Sequence, residues 1–555
     1  MPPGTDDGGN AGADANRGGP SPEVQDTDFL VIGSGIAGLW TALALSPHGA
    51  VTVLTKDAPP ESSTLYAQGG IAAARGPEDD PDLHQEDTMA AGDGLCDPEA
   101  VAALTHEGPR RIDELIEMGA HFDMLNGAIH LTQEAAHRAR RILHADGDAT
   151  GREVHRAIWD RASSAPGVTI HDHTFLLDLV AEGGRCVGAW GLHCRQGAAR
   201  QFRARATLVA TGGLGQLYEV TTNPPVATGD GVAAAYRAGA EVCDLEFVQF
   251  HPTALDDASF PKFLISEAAR GEGAILVNER GERFMPRYHP DAELAPRDVV
   301  TRAIVQELQR TGASRVYLDF SGIDPEVCRR RFPHIAEKCG ELGLDLMKDP
   351  VPVRPAAHYA MGGVLVDLQG RTCLPGLYAC GECSCFGLHG ANRLASNSML
   401  EGLVFGARCA EAMREEPLAL PLNESRDHPL AGHGGASQEA PGEAEMRQEL
   451  QQVMWQDVGI VRHAEGLARA GRALDELDRR ARAQKWPPSR PAAELANMVT
   501  VGQLVARAAT VRQESRGAHF REDYPQRDDR HWRRHTVWRR DPTGEPCWRS
   551  WEVKD

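Results

Sequence analysis

Basic residues are in short supply: 58 Lys and Arg stand against 79 Asp and Glu, giving a formal net charge of −21 over 555 residues. That balance argues against nonspecific binding to nucleic acid or to an anionic membrane, although a local cationic pocket can still collect anions. Long apolar runs are missing too, with nothing near the roughly 18 consecutive residues of a membrane span. No nucleic-acid or membrane partner is expected. Residues 1–26 hold no basic segment followed by an apolar core; rich in Gly, Pro, Asp and Asn, they read as a disordered tail, and the expected location is cytoplasmic. Twelve cysteines are scattered along the chain, and the one cluster, Cys380-Gly-Glu-Cys383-Ser-Cys385, has no second Cys-x-x-Cys to complete a metal site. Reduced thiols and no metal are the expectation.

What is present begins with Phe29-Leu30-Val31-Ile32, a short apolar run suited to a buried parallel strand. Gly33-Ser34-Gly35-Ile36-Ala37-Gly38 follows with the spacing G-x-G-x-x-G, and Ile36 to Leu45 carries apolar residues at helical spacing. In such a unit the first glycine turns the chain, the second admits a pyrophosphate to the backbone, and the third lets helix and strand pack closely. The helix N-terminus then holds the phosphates. A second strand, Val51-Thr52-Val53-Leu54, is followed by Lys56 and Asp57, so the acidic residue that would hold an NAD ribose is displaced. That disfavours a plain NAD-dependent dehydrogenase.

The loop Ser62-Ser63-Thr64-Leu65-Tyr66-Ala67-Gln68-Gly69-Gly70-Ile71 offers hydroxyls and backbone N–H groups to a second phosphate or a flavin ring, or is an ordinary polar loop. Between His130 and Gly151 the residues His130, Glu134, His137, Arg138, Arg140, Arg141, His144, Asp146 and Asp148 crowd together, and composition favours a solvated face over the wall of a polar site. Thr207 to Gly213 reads as a strand ending in glycine, and Thr228-Gly229-Asp230-Gly231 as the start of a helix, where Asp230 caps the helix or touches a cofactor and capping is the safer reading. Residues 27–243 and 356–420 share the nucleotide-binding style, the latter through Gly376 to Glu382 and Gly387 to Met399. Residues 244–355 read as an inserted capping domain, 421–445 as a linker, 446–516 as a helical domain and 517–555 as a C-terminal tail with basic residues and tryptophans interleaved.

From about Asp28 to Pro525 the chain resembles the succinate dehydrogenase and fumarate reductase flavoprotein superfamily, and within it the L-aspartate oxidase family. The motifs YAQGGIAA, QFHPTAL, RGEGA, LAPRD, PAAHY and HGANRLASNS carry that resemblance in one order. It implies an α/β fold with a Rossmann-like FAD-binding domain split in sequence, an inserted α+β capping domain and a C-terminal helical domain. It also implies that FAD is held by Gly33, Ser34, Gly35, Ile36, Ala37, Gly38, Lys56, Ser63, Thr64, Leu65, Tyr66, Ala67, Gln68, Gly69, Gly70, Asp230, Glu382, Ser398 and Met399. His251, Ser266, His358 and Arg393 fall around the substrate carboxylates, and Arg297 falls on the arginine the family uses for proton transfer.

Two positions separate the branches of the superfamily. Ser63 stands where succinate and fumarate relatives bond a histidine to the flavin, which implies noncovalent FAD. Glu134 stands where the oxidases face the substrate ammonium, and a buried amine needs such a partner. Departures occur at Ala135 and Ala136, where the oxidases usually have glycines, and at Ser266, usually a threonine. The function implied is oxidation of L-aspartate to iminosuccinate with O2 or fumarate as acceptor, at the start of NAD biosynthesis, with hand-off to quinolinate synthase. The alternatives are a soluble fumarate reductase or succinate dehydrogenase flavoprotein, and a non-catalytic flavin-binding partner subunit.

Overall fold

The computed structural model describes residues 23–59, 61–417, 442–484, 486 and 489–553. Its largest sheet has seven strands, in the order Val168–His171, Val51–Leu54, Glu23–Ile32, Ala198–Val209, Arg185–His193, Thr174–Glu182, with Leu377–Ala379 beside the end of Ala198–Val209. Glu23–Ile32 lies parallel to both neighbours, as a run buried on both faces should. The helix Ile36–Leu45 leaves that strand through Gly33, whose φ is 122° and whose added Cβ would sit 2.0 Å from Ala210 O. Only glycine fits there. Helix Asn397–Met413 packs beside it through Gly402 and Gly406, and Thr41 Oγ1 donates to Gly406 O at 3.0 Å.

The capping region is built on an antiparallel sheet of Val248–Leu255, Val351–Ala360, Val316–Asp319 and Ile275–Val277, with its own apolar core. The strand Val351–Ala360 runs across the boundary expected at 355 and carries His358 from this sheet toward the nucleotide-binding half. Three helices, Glu443–Asp457, Ala464–Gln484 and Arg490–Val511, form the helical region.

Three expected segment limits shift. Glu23–Asp26, assigned to the N-terminal tail, extend the first strand because Ala198–Val209 is long enough to pair with them, and Arg203 grips Asp26 through two bonds of 2.7 and 2.9 Å. The linker falls mostly outside the described residues, and its last part, Glu443 onward, already begins a helix with acidic side chains in the first turn. The C-terminal segment is a packed hairpin, Arg534–Arg540 with Pro546–Glu552, laid against Val242–Cys243. Its middle is covered and its far end is not: Val537 and Trp538 are buried while Arg539 and Arg540 face out.

Candidate active site

One continuous cavity runs from the glycine turn to the capping sheet, and all but two of the residues expected at the site line it. The exceptions are Gly38 and Leu65. Gly38 lies in the first turn of the helix and faces the strand, where a Cβ would meet Gly33 O at 2.0 Å, and Leu65 N closes a turn onto Ser62 O at 3.1 Å.

At the nucleotide end, Gly35 caps helix Ile36–Leu45 with no side-chain bond, and Thr64 Oγ1 accepts from Ile36 N at 3.1 Å. Ser62 Oγ and Gln68 Oε1 are buried without a partner. A helix N-terminus with a glycine N-cap, on the same cavity as orphaned polar atoms, fits the phosphates and polar ring edge of FAD. Lys56 Nζ donates to Asp230 Oδ2 at 2.6 Å, to Thr228 Oγ1 at 2.7 Å and to Glu494 Oε1 at 2.9 Å. Asp230 therefore does not cap its helix; its carboxylate takes Lys56, Thr228 and Asn497, and Gly229 is the N-cap. Burial pushes the Glu382 carboxyl up to about 7, while Ala360 N donates to its Oε1 at 3.1 Å.

At the other end, two paired strands bring His251 and His358 together, with ring centroids 5.2 Å apart. Burial, then the charges of nearby arginines, hold both well below the ordinary imidazole range, so both are neutral at pH 7. Thr253 N donates to His251 Nδ1 at 3.2 Å, which puts the ring proton on Nε2, and Nε2 is buried without a partner. His358 Nδ1 lies 2.9 Å from Thr222 Oγ1. Arg393 Nε is also unpartnered, and its guanidinium sits 4.4 Å over the Tyr359 ring. Burial lowers that arginine to about 10, so it stays cationic. These unspent donors suit an anion with two carboxylates.

Arg297 opens helix Arg297–Thr311 and donates to Glu267 Oε2 at 2.6 Å and to Gln249 Oε1 at 3.0 Å. Gln249 Oε1 also accepts from Arg393 at 3.1 Å and so ties the two arginines together. Ser266 caps the short helix Glu267–Gly271 by accepting from Ala268 N at 3.3 Å, a task serine and threonine share. Gln249 and Glu267 were missed from sequence. Gln249 stands two residues before His251 and thus on the same strand face, a signal that was available. Glu267 gave none, because an acid in a first helical turn is ordinary.

The charged stretch from His130 to Gly151 is divided: Arg138, Arg140 and Asp146 are exposed, while five of its ionisable residues are buried and Glu134 lines the cavity. Glu134, His137, Arg141, His144 and Asp148 are buried, and Arg141 is paired with Asp79 and Asp87, each at 2.7 Å. Composition counts ionisable groups without showing their partners, and the partners lie more than fifty residues upstream. Glu134 is raised by burial and by the charge of Glu267, and is eased down by the Ser396 hydroxyl, Arg297 and Arg393. Its loop keeps its shape with Ala136 at φ 66°, a conformation that favours glycine.

An FAD binding domain model matches residues 28–399, and a fumarate reductase flavoprotein C-terminal model matches 447–554. L-aspartate oxidase of Streptomyces coelicolor is 47% identical over 538 residues, covering 93% of this chain and 92% of that protein. The chain belongs to the L-aspartate oxidase family. It is an FAD-dependent oxidoreductase. The L-aspartate oxidase of a Synechocystis species is 43% identical, with 92% and 96% covered. E. coli quinol fumarate reductase shares the fold at a TM-score of 0.86 and 31% identity, over 96% of this chain and 97% of that one. The chain thus shares its frame with a fumarate reductase subunit. Among the described residues no helix is long and apolar enough to cross a membrane.

Proposed function

We propose that the cavity oxidises L-aspartate to iminosuccinate, the first step of de novo NAD biosynthesis. The observation that carries this reading is the buried Glu134 carboxylate on the same cavity as Arg297, Arg393, His251 and His358. Two carboxylates call for cationic and N–H donors, and an α-ammonium calls for a buried carboxylate; L-aspartate has all three groups. L-aspartate loses a hydride from Cα and a proton from nitrogen as the C=N bond forms. Bound FAD supplies the two-electron acceptor. Gly33, Ser34, Gly35, Ile36, Ala37, Thr64, Gln68 and Lys56 would hold it, with Glu382, Ser398 and Met399 at the far wall, and Ser63 leaves it noncovalent.

Arg393, with neutral His251 and His358, clamps the carboxylates and fixes Cα. Glu134 holds the amine and so adds affinity for a substrate that carries one. Arg297 moves the proton, with Glu267 orienting its guanidinium. O2 or fumarate takes the electrons in turn, and iminosuccinate passes to quinolinate synthase in the cytoplasm. The same clamp would bind fumarate or succinate, and the likeness to fumarate reductase favours that as a second activity.

Anaerobic addition of L-aspartate to the purified yellow protein should bleach the visible flavin band, with recovery in air and peroxide formed. Bleaching by succinate alone would move the protein to the dehydrogenase branch.

A further inference from the structure

Glycine, asparagine, aspartate and histidine account for most residues with positive φ, and among the described residues the exceptions are Ala136, Ala292 and Ser396. Two of those three lie next to Glu134. Ala136 is two residues along its loop, and Ser396, at φ 62°, sits just before helix Asn397–Met413. Ser396 occupies the N-cap position yet makes no capping bond with its side chain. Its hydroxyl donates instead to Glu134 Oε2 at 2.6 Å, and both residues are buried. The neighbouring backbone is tied to the same loop: Ala395 O lies 3.0 Å from His137 Nε2, and since a carbonyl only accepts, the ring donates.

The other carboxylate oxygen lies toward Gly69, where a Cβ would come within 3.7 Å of Glu134 Oε1 and 3.8 Å of Ser396 Oγ. The missing side chain leaves the approach to Oε1 open. One oxygen of Glu134 is therefore engaged by Ser396 while the other borders the cavity.

We propose that Ser396 is a specificity-determining positioning residue, whose strained backbone aims a hydroxyl at Glu134 so that its second oxygen is presented, ionised, to the substrate amine. This rests on the reading of Glu134 as the amine partner. Burial and the charge of Glu267 both push Glu134 toward its protonated form, and the Ser396 hydroxyl opposes them. A hydrogen bond donated to a carboxylate stabilises only the charged state. Without it, the carboxyl would take up a proton at higher pH and attract an ammonium more weakly. A dicarboxylate lacking an amine would notice nothing.

The test compares S396G, S396A and E134Q in two assays on the FAD-loaded enzyme: L-aspartate oxidation across pH, and fumarate reduction by a reduced dye. Glycine accepts positive φ, so S396G should keep the native backbone and fold. The expected result for S396G and S396A is a KM for L-aspartate raised about tenfold, the worth of one hydrogen bond to a charged group. The acid limb of kcat/KM should move up by about half a pH unit or more, and fumarate reduction should stay within about twofold of the parent. An unchanged KM and acid limb in S396G, with KM raised in E134Q, would overturn the role of Ser396 and leave the amine reading standing. An unchanged KM in E134Q would overturn the amine reading itself. Equal loss of both reactions in S396G would also overturn the proposal and make Ser396 a general element of the site.

Discussion

Arg297 donates from Nε to Glu267 Oε2 across 2.6 Å, with the two side chains 9% and 3% exposed. Glu267 also meets Arg270, and although burial raises a carboxyl, the two arginines hold this one below its ordinary range. An ionised acid thus fixes the guanidinium that points into the cavity. Arg297→Leu should lower turnover by about a hundredfold or more, the range for loss of a positioned proton-transfer group, with the flavin spectrum retained. Near-normal turnover would refute the role.

Ala136 tests whether the altered loop carries a cost. At φ 66° an alanine is strained by about 1–2 kcal/mol, and the residue is exposed, so no packing compensates. Ala136→Gly should gain a net ~0.5–1 kcal/mol after the added freedom of the unfolded chain. A thermal melt should rise slightly, and a fall would show that the loop is relaxed as it stands.

Acid should destabilise the protein through its buried histidines. Burial lowers His84 to about 3 and His137 to about 4, and burial also holds His251 and His358 well below the ordinary imidazole range. Between those values and the unfolded pKa of about 6.5, the unfolded chain binds more protons, so stability rises with pH and is lost as pH falls below it. The slope is about 1.4 kcal/mol per pH unit for each histidine that titrates only when unfolded. Glu382 acts in the opposite sense: raised to about 7, it favours the fold while protonated and loses that contribution as pH rises toward 7. Denaturant melts from pH 8 to pH 4 read both effects, and Glu382→Gln should remove the second alone.

Lys56 is held by Asp230 and Glu494, and burial notwithstanding, its charge with those of Arg490 and Arg447 brings Glu494 down to about 2. Lys56→Met strands the buried Asp230 carboxylate, while Glu494 keeps Arg490 and Arg447, and should cost about 3 kcal/mol. FAD affinity should fall in the same variant, measured by quenching of free flavin fluorescence. Unchanged melting and affinity would show that Arg490 and Arg447 suffice.

Noncovalent FAD has a direct check. Acid precipitation should leave all the yellow colour in the supernatant, since Ser63 offers no nitrogen to the flavin ring. A yellow pellet would reveal a covalent link elsewhere.

The nucleotide half was legible because its signals are local. Gly33, Gly35 and Gly38 sit within six residues of one another, and each is needed by a contact that neighbouring residues create. The substrate end depends on pairs far apart in sequence, such as Glu134 with Ser396 and Arg297 with Gln249, so the motifs named the residues without showing who holds whom. Asp230 was misread for that reason: a cap is a local explanation, and its real partner Lys56 lies 174 residues away. The C-terminal hairpin was not legible because its partner strand, Val242–Cys243, lies nearly three hundred residues upstream and nothing in the tail itself points to it.

The split of the nucleotide-binding domain has a consequence for how the chain is made. Thr207–Val209 pair with Leu377–Ala379, which leave the ribosome some 170 residues later. A nascent chain that ends before residue 377 therefore carries a bare strand edge beside a glycine turn already formed, open to pairing with another chain. The cavity itself is completed only by residues that follow the capping region, Glu382, Ser398 and Met399 among them, and translation pauses within 244–376 would lengthen the interval in which this edge stays open.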